Sequence, residues 1–181
     1  MRAAREIVLP ETEPATEWIL DRPIRKVSAT FDHGVLQLAF AQALQAWAAD
    51  RGVVVTEWCF RASPPGEDIR PLVPDVAYMS FDRLRPLTAK ERQTPSVAPE
   101  IIVEILSPDD RQDDIDEKRR VYFKWGVTLE LIANPETRTI DVYDCDGRFE
   151  RVGAVENYAP RIIPDLALPL RTLFETMDIP D

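Results

Sequence analysis

The sequence predicts an α/β domain in which a mixed β-sheet is flanked by α-helices. Three observations carry this reading: an apolar stripe of helical period within residues 32–49, an unbroken apolar run at residues 101–106, and a strand, helix, strand succession from that run to residue 133. A chain of 181 residues is long enough to bury a core of its own and asks for no second folding unit.

Residues 1–30 are rich in Pro and Glu and hold no sustained period. They read as an N-terminal lead-in to a single domain over residues 31–181, with one short helix near residues 13–20. From residue 32, Leu36, Phe40, Leu44 and Trp47 recur at spacings of four, four and three, which aligns them on one helix face. His33 stands at the start of this helix, where a capping or surface role is the ordinary expectation. The β-branched run 53–60 and the apolar run 73–79 predict two paired strands across a turn-rich connection at residues 63–71.

A polar, proline-bounded insert fills residues 82–99. Ile101, Ile102, Val103, Glu104, Ile105 and Leu106 then form a strand apolar on both faces, which belongs in the middle of a sheet. Ser107 and Pro108 end it. Residues 109–125 predict a helix closed by Gly126, and residues 127–133 a further strand, so the crossover is parallel. Residues 140–145 and 148–152 predict a hairpin across Asp146 and Gly147. The tail carries Pro160, Pro164 and Pro169 before a short terminal helix.

Composition removes several function classes. No apolar run approaches the roughly 20 residues of a membrane span, and Pro10, Glu11 and Glu13 interrupt the N-terminal apolar stretch, so a cytoplasmic protein without membrane contact is expected. Cys59 and Cys145 stand in no metal-binding spacing. A single histidine withdraws the usual support for multi-histidine metal sites and for Ser-His-Asp hydrolysis. The six glycines never cluster into a phosphate-cradling loop. With abundant carboxylates, any metal site would be oxygen-rich and suited to Mg²⁺ or Mn²⁺. The formal charge of −10 opposes a broad electrostatic grip on nucleic acid, although Arg111, Lys118, Arg119, Arg120 and Lys124 can make a local positive face or a solvated helix surface.

Three residues stand out chemically. Strand alternation places Glu104 on the same face as Ile102 and Leu106, inside an apolar run, and a buried carboxylate needs a compensating partner. Lys118 falls in the stripe Ile115, Lys118, Tyr122, Trp125 of the next helix, which turns it toward the sheet. A structural ion pair, or a lysine whose stem packs while its head reaches water, fits the same spacing. Asp75, after Pro74, opens an apolar strand and can project a carboxylate beside Glu104; Pro-Asp is also a common turn pair.

The succession Pro74, Asp75, Val76, then residues 99–108, then Lys118, Tyr122, Gly126 and Val127 resembles the Uma2 (DUF820) family across roughly residues 33–145. That family is similar to the PD-(D/E)XK, restriction-endonuclease-like nucleases, whose mixed sheet carries acidic metal ligands for phosphodiester hydrolysis. The resemblance implies that Asp75 and Glu104 ligate Mg²⁺ or Mn²⁺, with the backbone carbonyl of Ile105 as a further ligand. The usual lysine two positions after the acidic residue is here Leu106, and the resemblance implies that Lys118 takes its role. Glu57 is a further candidate metal or water-positioning carboxylate, or an edge-strand residue facing solvent.

The expected function is therefore a magnesium-dependent endonuclease acting on nucleic acid, DNA in the first instance, as a monomer or homo-oligomer. Two alternatives stand beside it: an inactive domain of the same fold that binds protein or nucleic acid, and a hydrolase of another phosphate-containing substrate.

Overall fold

In the computed structural model, which describes residues 4–26, 28–163 and 165–180, a six-stranded sheet forms the spine. Chain order begins with a hairpin of β1 (Thr16–Ile19) and β2 (Arg22–Arg25), followed by helix α1 (Phe31–Ala48) and strand β3 (Gly52–Thr56). A second small hairpin, β4 (Phe60–Ala62) and β5 (Arg70–Leu72), precedes β6 (Val76–Ser80) and the short α2 (Phe81–Leu84). Then come β7 (Ile101–Ile105), α3 (Gln112–Trp125), β8 (Leu129–Asn134), β9 (Thr139–Asp144), β10 (Phe149–Val152) and α4 (Leu170–Glu175).

The spine runs β10-β9-β8-β7-β6-β3, with β7 and β8 parallel and every other neighbour antiparallel. The mixed sheet, the central place of β7 and the pairing of β3 with β6 follow the sequence pattern. Burial on both faces is what puts β7 inside: Ile101, Val103 and Ile105 pack toward α1 and α4, while Ile102 packs with Val121 and Tyr122 of α3. Gly126 ends α3 at φ 117°, a left-handed conformation that a side chain resists, and its N–H bonds back to Tyr122 and Phe123.

Two local expectations are corrected. No helix forms near residues 13–20; Thr16–Ile19 pair antiparallel with Arg22–Arg25, with Glu17 and Ile19 on the buried face and Thr16 and Trp18 on the other. The strand expected over 53–60 is two strands, broken at Glu57, whose φ of 51° turns the chain out of the ladder. Residues 1–3 and 27 of the lead-in and Pro164 of the tail lie outside the described residues. Among the described residues, no helix is long and apolar enough to cross a membrane.

Candidate functional site

A cavity of about 240 Å³ opens between the β1–β2 hairpin, the start of α1, the C-terminal end of β7 and the face of α3. Its lining includes Asp75, Glu104, Ile105 and Lys118, which the sequence singled out, together with Glu17, Lys26, His33 and Glu130, which it did not.

Asp75 sits in the turn just before β6 and is 2% exposed. Its Oδ1 accepts a hydrogen bond from Lys26 at 2.7 Å, and its Oδ2 accepts one from the Ile105 N–H at 2.7 Å and lies 3.2 Å from His33 Nε2. Burial opposes ionisation, but His33, Lys26 and Lys118 outweigh it and hold the carboxyl well below its ordinary range. His33 is thus a buried partner of Asp75, not the capping or surface residue expected; the cap is Thr30, whose side chain accepts the His33 N–H. Burial pulls the His33 pKa down, and the contact with Asp75 raises it overall.

Glu104 stands on β7, on the face toward α3, as its alternation requires. Its Oε1 accepts from Lys118 at 2.7 Å and from the Tyr122 hydroxyl at 2.6 Å. Burial pushes its pKa up, and Asp75 and Glu17 add to the shift against the opposing pull of Lys118. Lys118 lies on the inward stripe of α3, also within 3.1 Å of Glu17 Oε1. Burial alone would lower its pKa, yet Glu104 and Glu17 raise it, so the group is an ammonium.

Glu57 is not a solvent-facing edge residue without partners. Its Oε2 is 2.9 Å from Lys26 and its Oε1 accepts from Gln37 at 2.8 Å, so it belongs to the Asp75 side of the site although its side chain is 46% exposed. Ile105 meets Asp75 through its N–H.

The residues missed in the sequence fall into two groups. Glu17 and Lys26 lie on a hairpin of four-residue strands, too short to show a period. Glu130 did carry a readable signal, a carboxylate within the apolar run 129–133, by the same rule that exposed Glu104. It lies on β8 on the same face as Glu104, is 1% exposed, and neither carboxylate oxygen has a hydrogen-bond partner. Burial, aided by Glu104, pushes its pKa up to about 8.

The expected positive face on α3 is largely paired, while Arg111 at its N-cap is exposed and lines the cavity. Arg120 and Lys124 both bind Glu67, Arg119 binds Asp116 and stacks over Tyr143, and Lys118 is inside the cavity.

Chemically, the cavity concentrates negative charge. Seven carboxylates, Glu17, Asp75, Glu104 and Glu130 among them, line it against five lysines and arginines, a formal deficit of two that protonation of His33 or Glu130 lowers. No group of three or more His, Cys, Asp or Glu side chains among the described residues makes a ready metal cluster. A closed zinc site is therefore not available. A hard cation that takes one or two carboxylates and fills its other positions with water, backbone carbonyl and phosphate oxygen does fit this donor set.

The family model described as "Uma2: Putative restriction endonuclease" matches residues 6–172, and so takes in the β1–β2 hairpin. No curated protein matches the chain. Among solved structures, a "putative nuclease belonging to DUF820" from Anabaena variabilis ATCC 29413 is similar over 93% of this chain and 94% of its own, with 23% identity and a TM-score of 0.80. That likeness is one of fold: the sheet and its flanking helices are shared.

Proposed function

The chain belongs to the Uma2 family, and on that footing we propose that it is a divalent-metal-dependent nuclease that hydrolyses phosphodiester bonds, with DNA as its substrate. The observation that carries the reading is the cavity's uncompensated negative charge, gathered around two carboxylates on adjoining strand ends and deep enough to be poorly screened. Asp75 and Glu104 would hold Mg²⁺ or Mn²⁺, with the Ile105 carbonyl as a further oxygen.

When bound, such an ion supplies a water of lowered pKa and neutralises a phosphate oxygen. The chain's own residues do the remainder. His33 and the Ile105 N–H fix the Asp75 carboxylate, and the Tyr122 hydroxyl fixes that of Glu104. Lys118 is held as an ammonium at the cavity wall, where it stabilises charge that develops on the phosphate.

One observation favours a second reading, a non-catalytic charge network in which the acidic surface serves protein partners. Both lysines already have carboxylate partners, and the chain carries a net charge of −10. Hydrolysis of another phosphate-containing substrate uses the same site and differs only in what enters it.

Cleavage of single- and double-stranded DNA and of RNA, with Mg²⁺, Mn²⁺ or chelator, separates these readings. The expected result is metal-dependent cleavage that falls by about 10²–10³-fold or more in Lys118→Met and is lost in Asp75→Asn and Glu104→Gln. Folded protein that cleaves no nucleic acid with either ion overturns the proposal.

A further inference from the structure

We infer that Lys26 is a resident cation on the Asp75 side of the site, and that a divalent ion binds there by displacing it. The inference rests on the metal-dependent reading above and adds a residue and a step to it.

The ammonium of Lys26 touches three oxygens: Asp75 Oδ1 at 2.7 Å, Glu57 Oε2 at 2.9 Å and the Val73 carbonyl at 3.0 Å. Three N–H donors meet three acceptors, so its hydrogen-bonding capacity is used in full. Two carboxylates and a backbone carbonyl around one point are also the donor set a hard divalent cation selects. The lysine holds together an oxygen cage whose carboxylates would otherwise repel one another. Its side chain is 13% exposed, so the ammonium fills the cage largely out of solvent.

An ammonium and a divalent ion cannot both keep the same carboxylate oxygen without strong repulsion at short range. One of them must leave, and the two lysines of the site differ in how readily they can. Lys118 projects from the 14-residue helix α3 and is shared between Glu104 and Glu17. Lys26 directly follows the four-residue strand β2, at the end of a two-stranded hairpin. The Asp75 side therefore exchanges its cation, while the Glu104 side keeps its own.

The test is a calorimetric titration of Mn²⁺ into the wild-type protein and Lys26→Met, which keeps the stem and removes the charge. The variant is expected to bind Mn²⁺ about tenfold tighter or more, with a larger metal-induced rise in Tm than the wild type shows. Equal or weaker binding by the folded variant overturns the inference. Should the variant fail to fold, a Mn²⁺-soaked crystal of the wild type decides through its anomalous scattering. Mn²⁺ on Asp75 with Lys26 moved off its carboxylate supports displacement. Mn²⁺ held elsewhere in the cavity with Lys26 still on Asp75 overturns displacement but leaves the metal-dependent reading intact, and no Mn²⁺ in the cavity overturns both.

Discussion

Asp75 and Glu104 line one cavity and each has a lysine partner, yet their surroundings push their acidities in opposite directions. Asp75 is met by Lys26, by His33 and by a backbone N–H, three donors that favour the charged form. Glu104 has Lys118 and a tyrosine hydroxyl, but it is enclosed by apolar strand neighbours and faces Glu17 and Asp75, with Glu130 on the same face of the adjoining strand. The contrast assigns different tasks. Asp75 is a committed anion, whereas burial makes Glu104 the weaker acid of the two. In the proposed metal-dependent reading, one carboxylate of each kind suits a site that admits a divalent ion and a phosphate together.

The largest effect that would break this contrast is on the Asp75 side. Asp75→Ala leaves His33 without its counter-charge, Lys26 with Glu57 alone and the Ile105 N–H unpaired, and should cost about 3–5 kcal/mol of stability in chemical denaturation at neutral pH. A loss below about 1 kcal/mol would mean that Asp75 does not organise that half of the cavity.

Next in size is an effect that depends on pH. Glu130 has its folded pKa raised to about 8, above the ordinary 4.5, so the stability it contributes is fully present below about pH 4.5 and is lost as pH rises toward 8. Glu130→Gln does not titrate. Relative to the wild type it should gain stability progressively across that window, on the order of 2–4 kcal/mol by pH 9. A difference between the two proteins that stays flat from pH 4 to pH 9 would show that Glu130 is charged and partnered in solution.

The smallest expected effect sharpens the Glu104 side. Tyr122→Phe removes the hydroxyl that donates to Glu104 while keeping the ring in the core, and should cost about 1–2 kcal/mol. It should also push the Glu104 carboxyl still higher, because the charged form loses a donor; NMR titration of the Glu104 side chain reads this directly, and an unmoved or lowered value counts against the role given to Tyr122.

The two halves also differ in how far the sequence disclosed them. Glu104 and Lys118 were legible because a charged residue inside a period-two or period-3.6 apolar pattern points inward, and patterns that long are reliable. Glu130 obeyed the same rule and was overlooked. The Asp75 half was largely hidden. Lys26 and Glu17 come from a hairpin whose strands are four residues each, and its place over the cavity is fixed by long-range contacts such as Glu17 to Val73 and Arg22 to Asp114. His33 was read from its position near a helix start, where capping is the usual role, although the first turn of α1 faces the turn that carries Asp75. The fold was legible for the same reason as the Glu104 half: β7, α3 and β8 each repeat their pattern long enough to name their faces.

In the function proposed for it, this cavity holds a divalent cation through Asp75 and Glu104. The most direct measurement is calorimetric titration of Mg²⁺ and Mn²⁺ into the wild-type protein, Asp75→Asn and Glu104→Gln, with a nucleic-acid oligonucleotide present and absent. The wild type is expected to bind one ion, more tightly with the oligonucleotide, and binding is expected to weaken by at least about a hundredfold in either variant. Folded wild-type protein that binds neither ion in either condition, or variants that bind as well as the wild type, would contradict it.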